Sequence, residues 1–438
     1  MEPLFLGFAS VPLIILLVGL RIPVGVAVGL VSFLGFLMVR NLNVALGVMR
    51  ETPFAFANSW DLTAIPMFLL MGAITTATGI STAMFRAARL WLSALPGGLA
   101  VAANMACAGF GAATGSSVAA SATMTRLAVP EMLRQGYDKG LATGVVASAG
   151  TLAALIPPSI MFVLFGIFAE VSISQLLIAG VIPGLLTAFA YTAMIVIRCW
   201  LKPSLAPPLS AVELASLKAD RWSALRDTWP VIFLILGVIG GLYSGLVTPT
   251  EAGAVGAMVA LLLGLAQRRM TFAALFEALR TSMSTAAQIF FVGMAAVMYT
   301  RFLSLTGMSG FLEDTFAPYA DNPIVIILGM AVVYLLLGMF LDPLGTMLIT
   351  IPVFLPLLNA LDMNLIWFGV IVVKYIEIAM LTPPIGFNIF VVKAAIGNQV
   401  ELNAIFKGTA WFLLAEVVVM ILLLSFPQIS LWLPNLMN

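Results

Sequence analysis

Long apolar stretches that are nearly free of charged side chains recur along the whole chain. Of its 438 residues, 62% are hydrophobic and 9% are charged, whereas a soluble domain carries roughly a quarter charged residues. So few polar side chains could not coat a soluble globule of this size, and many of the stretches are long enough to cross a bilayer. We therefore predict an all-α polytopic membrane protein. The candidate spans are residues 4–20, 24–39, 62–80, 96–113, 141–168, 176–197, 231–247, 252–266, 286–303, 324–341, 365–380, 384–396 and 411–424.

Charge and composition exclude several other classes of protein. A formal net charge of +1 argues against nucleic acid as a partner. The chain has no histidine, which excludes histidine metal sites, histidine proton relays and Ser-His-Asp chemistry. Cys107 and Cys199 lie far apart in apolar stretches, so a disulfide framework and a thiolate metal site are both disfavoured. We expect neither an enzyme nor a bound cofactor.

The longest polar stretch, residues 202–229, reads as an amphipathic linker between two halves of the chain. Ser210 to Glu213 form a capping-box pattern, which predicts the start of a helix. An amphipathic helix lying on the membrane surface and a solvated linker helix both fit this pattern. Basic side chains in the stretch favour a cytoplasmic position. The helical apolar positions are Leu214, Leu217 and Trp222, and the basic residues are Lys218, Arg221 and Arg226.

Residues 1–201 and 230–438 resemble each other, with matched positions separated by about 226 to 230 residues. In each half we predict two helices, a short amphipathic surface helix, a third span, a re-entrant hairpin, a broken helix and a last span. A hairpin returns to its own side, so each half has about five crossings and the second half is inverted. The hairpins are expected at about 97–133 and 324–360, and the broken helices at about 141–169 and 365–396. The matches include Pro23 with Pro249, Thr78-Gly79 with Thr306-Gly307, and Pro157-Pro158 with Pro383-Pro384.

Each half has one tip rich in glycine and hydroxyl groups and one span broken by a proline pair. Prolines inside a span free backbone carbonyls, which is tolerated only where the backbone is buried in protein or lines a cavity. Carbonyl and hydroxyl oxygens suit sodium as a coupling ion, and the N-termini of half-helices suit an anionic substrate. Alternatively, the glycines and serines only allow close helix packing and the prolines only kink the spans. The predicted first site combines Thr114, Gly115, Ser116 and Ser117 with Gly150, Thr151 and Ile156, and the second combines Asp342, Gly345 and Thr346 with Thr382 and Asn388.

A few charged residues lie in or beside apolar stretches. Lys374 and Glu377 are three residues apart on a predicted helix, where they can pair. Glu251 follows Thr248 at the spacing of a helix cap. Asp342, at the tip of the second hairpin, is the carboxylate to which we would most readily assign a function.

Residues 241–252 (GLYSGLVTPTEA) resemble the hallmark of the large membrane subunit of TRAP (tripartite ATP-independent periplasmic) transporters, the DctM-like family. Residues 155–159 (LIPPS) and 381–388 (LTPPIGFN) are similar to the two broken-helix motifs of this family. Residues 113–117 (ATGSS) resemble its first hairpin tip, so the resemblance covers essentially the whole chain.

This resemblance implies a scaffold domain and a mobile transport domain that holds both hairpins and moves by an elevator-type motion driven by a sodium gradient. It implies a bacterial inner membrane location and a small four-helix membrane subunit as a partner. It also implies a periplasmic binding protein that delivers an organic anion such as a C4-dicarboxylate or a sialic acid. No segment before Met1 or after Asn438 could be the small subunit, so a separate partner chain is expected.

Two other functions remain open from the sequence. A stand-alone elevator-type transporter of anions would need no binding protein. A membrane-embedded enzyme or proton-pumping subunit would need a chain of buried titratable groups. The missing histidines and the scarcity of Asp, Glu and Lys within the spans argue against this last class.

Overall fold

The computed structural model describes residues 2–208, 220–316, 318 and 323–437, and within them it contains helices and no strands. The all-α prediction is therefore confirmed. The α-helices of these residues are α1 (Pro3–Gly19), α2 (Val24–Val39), α3 (Leu42–Ala57), α4 (Ala64–Ala77), α5 (Ile80–Leu92), α6 (Gly98–Thr114), α7 (Ser117–Arg134), α8 (Lys139–Leu155), α9 (Ile160–Phe168), α10 (Ile173–Ala179), α11 (Val181–Leu201), α12 (Arg221–Arg226), α13 (Trp229–Tyr243), α14 (Pro249–Ala266), α15 (Phe272–Thr306), α16 (Met308–Phe316), α17 (Pro323–Gly338), α18 (Pro343–Ala360), α19 (Leu365–Ala379), α20 (Phe387–Ile396), α21 (Leu402–Ser425) and α22 (Gln428–Asn435).

The apolar stretches give helices of two lengths. Seven helices in the described part of the chain are long and apolar enough to cross a membrane. The bent pair α8 and α9, which turns by 42° at its break, adds an eighth if the pair is counted as one span. Helices α1, α2, α6 and α17 are apolar but only 16 or 17 residues long. At 1.5 Å per residue they are shorter than a hydrocarbon core of roughly 30 Å.

Local sequence signals fix several helix ends where expected. Thr248 Oγ1 accepts a hydrogen bond from Glu251 N (3.3 Å), and Glu251 Oε2 accepts one from Thr248 N (2.8 Å), so these residues of the 241–252 motif form a capping box at the start of α14. Gly79 and Gly307 end α4 and α15 in the left-handed conformation, at φ 69° and 73°. The matched threonine before each glycine donates to the carbonyl three residues earlier. These two positions of the proposed repeat therefore share one local structure.

The two halves differ at the predicted surface helix. In the first half, α3 ends at Ala57 and a 3-10 turn at Trp60–Thr63 leads into α4. In the second half, the predicted short amphipathic stretch and the following span form one 35-residue helix, α15. The first junction contains Asn58, Ser59 and Asp61, whose side chains compete with helical hydrogen bonds. The corresponding residues of α15 are mostly good helix formers such as Ala and Gln, so the helix continues.

The core is built around α8, which is buried at every residue from Gly140 to Leu155. Helices α6, α7, α20 and α21 pack around it. A Cβ atom on Gly408 of α21 would lie 1.9 Å from the carbonyl oxygen of Gly140, so the two backbones touch there. Small residues allow this approach, as in other membrane helix pairs. A second group of helices, in which α15 packs on α2 and α4 and α14 packs on α4, meets this core through α4 and α6.

The linker is described only in part. The capping-box residues Ser210 and Glu213, together with Leu214, Leu217 and Lys218, lie outside the described residues. The following helix, α12, packs on α5: Arg221 Nε donates to Leu90 O (2.8 Å), and the rings of Trp222 and Trp91 meet edge to face at 5.4 Å. This end of the linker is therefore held against the first half of the protein.

Candidate functional site

The first hairpin turns within two residues, at the predicted tip (residues 114–117, the first tip). Helix α6 ends at Thr114, and Gly115 takes the left-handed conformation at φ 63°. Ser116 then begins α7, and its Oγ accepts a hydrogen bond from Ala119 N at 3.4 Å. Thr114, Gly115 and Ser117 are buried, and Ser116 is half-buried. Left-handed backbone favours glycine, so the sequence dictates this turn locally.

The first proline pair interrupts α8 and α9 at residues 156–159 (the first break). In a continuous helix Ala154 O would accept from the nitrogen of residue 158, but Pro158 has no N–H. The Ser159 hydroxyl instead donates to Ala154 O. One turn earlier, the Thr151 hydroxyl donates to Ser148 O (2.7 Å). The break is fully buried, as backbone without helical hydrogen bonds must be inside a membrane protein.

The first tip and the first break lie against each other. A Cβ atom on Gly115 would lie 2.7 Å from Pro158 O. Two other predicted residues of this site belong to α8. Ile156 is the C-cap of this helix. Gly150 lies within it and faces α7, because a Cβ atom on Gly150 would lie 1.8 Å from Ser121 Oγ. The structure thus brings residues 114–117 against the first break, whereas Gly150 contacts α7 of the hairpin at Ser121, away from the tip.

The second half repeats the tip and the break with different details. Asp342 begins α18, and its carboxylate accepts a hydrogen bond from Gly345 N (3.2 Å), while Thr346 donates to Asp342 O (3.0 Å). The second break, residues 380–386, follows α19, and Thr382 donates to Ile378 O (2.7 Å). Pro383 and Pro384 are exposed, unlike the first proline pair.

The second hairpin also contacts its own broken helix. A Cβ atom on Gly338, at the end of α17, would lie 2.6 Å from Cβ of Ala379 and 3.9 Å from Thr346. The backbone of Asn388 lies at the second break, where its N donates to Met380 O (3.1 Å), but its fully buried side chain turns to α8 and its Nδ2 donates to Ala147 O (3.1 Å). Asn388 Oδ1 has no hydrogen-bond partner among the described residues. This side chain therefore joins the second broken helix to the first.

Both tips open onto cavities along α15. The first cavity, of about 400 Å³, is lined by Thr114 and Ser116 together with residues of α4 and α15. The second, of about 410 Å³, is lined by Asp342 and Leu344 together with residues of α2 and α15. Thr285 lines both cavities, so the two tips lie on either side of the same stretch of α15. The polar residues that line the first cavity are Thr76, Thr114, Ser116, Glu277, Thr281, Ser282 and Thr285.

The sequence reasoning missed these residues of α15. Thr281, Thr285 and Gln288 follow the spacing i, i+4, i+7, which places hydroxyl and amide groups on one face of an otherwise apolar helix. That pattern was the available signal. Only the fold shows that both tips approach it.

A buried charged cluster was only half expected. Lys374 Nζ donates to Glu377 Oε2 (3.0 Å), which confirms the predicted pairing on α19. It also forms an ion pair with Glu416 Oε2 of α21 (2.6 Å), and the Tyr191 hydroxyl of α11 donates to Glu416 Oε1. All three charged side chains are fully buried. A single Glu in the apolar span 402–425 was the signal for this partner.

Comparison with known proteins identifies the family. The family profile described as "Tripartite ATP-independent periplasmic transporter, DctM component" matches residues 11–429. The chain belongs to this family. It is 33% identical over 383 residues to the C4-dicarboxylate TRAP transporter large permease protein DctM of Pseudomonas aeruginosa, covering 87% of this chain and 88% of that protein. It is 34% identical over 340 residues to the 2,3-diketo-L-gulonate TRAP transporter large permease protein YiaN of Escherichia coli, covering 77% and 79%.

Two solved transporter structures share the fold of this DctM family member. The Alcanivorax borkumensis YdaH transporter superimposes with a TM-score of 0.59 at 13% identity, covering 87% of this chain and 89% of that one. Neisseria gonorrhoeae MtrF superimposes with a TM-score of 0.56 at 14% identity, covering 88% and 85%. The chain is thus the large permease subunit of a TRAP transporter, a multi-pass inner membrane protein, and not an enzyme.

Proposed function

We propose that this large permease imports a small organic anion by sodium symport with an elevator-type motion. A periplasmic binding protein delivers the anion, and a small four-helix membrane subunit packs on the scaffold. The tripartite family description supports these partners. The names of relatives specify C4-dicarboxylate, 2,3-diketo-L-gulonate and, at 29% identity in Haemophilus influenzae, sialic acid, which supports an organic acid as the substrate.

The contact of each hairpin with its own broken helix carries this proposal. Gly115 meets Pro158 O in the first half, and Gly338 meets Ala379 in the second. The two halves are inverted repeats in the proposed architecture, and both hairpins belong to the moving domain. Helix α15, with α4 at the first cavity and α2 at the second, forms the fixed wall, since these helices line the cavities together with the tips. Inverted repeats with broken helices at the binding site are typical of secondary transporters.

Sodium would bind to oxygen atoms of the tips and breaks. Hydroxyl and backbone carbonyl oxygens are the ligands that hard cations prefer. The anion would bind near the first turns of α9 and α20. Ser159, the N-cap of α9, makes no side-chain cap hydrogen bond within the described structure, and Gly386, the N-cap of α20, has no side chain that could cap. Their N–H groups carry the positive end of the helix dipole.

The test is uptake by proteoliposomes that contain the permease, its small subunit and the matching binding protein. An imposed sodium gradient should drive accumulation of a labelled organic acid, and a proton ionophore should leave uptake unchanged. Accumulation by this chain alone would favour a transporter that needs no binding protein. Uptake that ignores sodium and stops with the ionophore would contradict the proposal.

Ser116→Ala and Thr346→Ala are expected to raise the sodium concentration needed for half-maximal uptake by several-fold, because each removes one candidate oxygen ligand. Ser116 also caps α7, and losing a cap costs roughly 1 kcal/mol of stability. Ser172→Ala is therefore the matched control, since Ser172 caps α10 in the same way at 3.3 Å, away from the tips. Sodium activation that matches this control in both variants would remove the assignment of these residues.

Pro157→Ala and Pro383→Ala are expected to reduce uptake strongly without lowering the amount of protein in the membrane. Alanine restores the backbone donor at residue 157 or 383, so the helix before each break can extend toward the remaining proline and change the shape of the site. Pro53→Ala is the control, because Pro53 lies inside the continuous helix α3. Transport rates are measured at matched protein levels. Wild-type rates in both variants would support the alternative in which the prolines only shape helix packing.

A further inference from the structure

Three charged side chains and one tyrosine form a cluster at the junction of α11, α19 and α21, and the proposed sodium symport does not use them. The cluster consists of Lys374, Glu377, Glu416 and Tyr191. Each of these side chains is fully buried. The cluster joins three helices that are far apart in sequence, so it is part of the tertiary structure and not a local pair.

The formal charges of the cluster do not balance. One lysine faces two glutamates, so with both carboxyl groups ionised the cluster has a net charge of −1. A buried charge without a partner is expensive, and such groups become neutral rather than remain ionised. The buried cluster therefore needs one more positive charge, such as a bound proton, to be neutral.

The hydrogen bonds show where that charge belongs. Both oxygens of Glu416 face a donor, since Tyr191 donates to Oε1 and the Lys374 ammonium lies 2.6 Å from Oε2. Lys374 also donates to Glu377 Oε2 (3.0 Å) and to Thr187 Oγ1 (3.4 Å). Glu377 Oε1 and Glu416 Oε2 are both buried without a hydrogen bond among the described residues, but Glu416 Oε2 has the lysine ammonium 2.6 Å away, whereas Glu377 Oε1 has no ion-pair partner there. Glu416 is thus arranged as a carboxylate, and Glu377 has one oxygen available.

The surrounding helices offer no further charge within the described residues. On the helices packed against α19, the other titratable groups are Tyr334 and the exposed lysines Lys139 and Lys407. Tyr375, on α19 itself, donates to Ile327 O at 3.1 Å. The charge balance therefore has to be met inside the cluster.

We propose that this cluster is a proton-binding site, in which Glu377 holds one proton on Oε1 beside an ionised Lys374–Glu416 pair. This site lies beside the first sodium and substrate region, since Tyr191 also interacts with Thr151, but the proposed function makes no use of its proton. Releasing the proton leaves a net negative charge between α19 and α21, which loosens the packing of the last span on the second broken helix. The protein then carries a proton-sensitive contact between these two elements.

The first test is infrared spectroscopy of the full-length permease with its small subunit in lipid nanodiscs. Wild-type protein at neutral pH should show the C=O band of a protonated carboxyl group, and Glu377→Gln should lose it. Glu313→Gln, at an exposed glutamate of α16, is the control and should keep the band. The proposal would be overturned if the band persisted in Glu377→Gln or if it were lost only in Glu416→Gln. Loss of the band on adding saturating sodium would also overturn it.

A second measurement uses stability. Folding takes up a proton if Glu377 is neutral in the folded protein and ionised in the unfolded chain, so stability must fall as pH rises. The thermal midpoint of the wild type should decrease with rising pH, and that of Glu377→Gln should change less. If Glu377→Gln does not fold, two other variants test the same charge argument. Lys374→Met protein should accumulate poorly in the membrane, and the double variant Lys374→Met/Glu416→Gln should accumulate to a higher level. Equal accumulation of these two would contradict the charge argument.

Discussion

Replacing Gly115 by alanine is expected to reduce substrate uptake roughly tenfold or more while the protein remains folded in the membrane, a loss that corresponds to about 1.4 kcal/mol. Two effects add at this position. The left-handed backbone, at φ 63°, costs a residue with a Cβ atom roughly 1 kcal/mol. The new Cβ atom would also lie 2.7 Å from Pro158 O, so the first tip must move away from the first break.

Gly79→Ala separates these two effects. Gly79 has almost the same backbone conformation, at φ 69°, but a Cβ atom there would meet no described atom within 4 Å. This control therefore has the conformational cost without the collision. Uptake should be measured at matched protein levels and at several sodium concentrations. If both variants transport equally well, the contact between tip and break has no part in transport.

The features that the sequence predicted correctly are those that depend on neighbouring residues. The turn at Gly115 and the interruption at Pro157-Pro158 follow from glycine and proline, which act on their own backbone. The cap formed by Thr248 and Glu251 is equally local. Such signals fix where helices begin and end, and they placed both tips and both breaks within a few residues.

The missed features depend on contacts between distant parts of the chain. The sequence groups Asn388 with the second tip but gives no sign that its side chain bonds to Ala147, 241 residues away. Nothing near Glu416 in the sequence indicates that Lys374 is its partner. Thr285 lies between two cavities only because both hairpins pack against α15. Residue spacing within one helix carries no information about which other helix will face it.

Gly408→Ala is expected to have the largest effect on stability. A Cβ atom on Gly408 would lie 1.9 Å from Gly140 O and 2.5 Å from Gly140 C. Both obstacles are backbone atoms of a buried helix, so no side-chain rotation can relieve the collision and α21 must move away from α8. Overpacking of this kind costs roughly 1 to 3 kcal/mol or more. Thermal unfolding and the yield of monodisperse protein measure the loss.

The displacement should also reach the charged cluster. Glu416 lies two turns after Gly408 on α21, so moving α21 off α8 would also pull its carboxylate from Lys374 and Tyr191. Gly329→Ala, in α17, is the control, because a Cβ atom there meets no described atom within 4 Å and alanine favours a helix. Equal thermal midpoints for the two variants would show that α8 and α21 tolerate separation. The close approach at Gly140 would then not be what holds the last span to the broken helix.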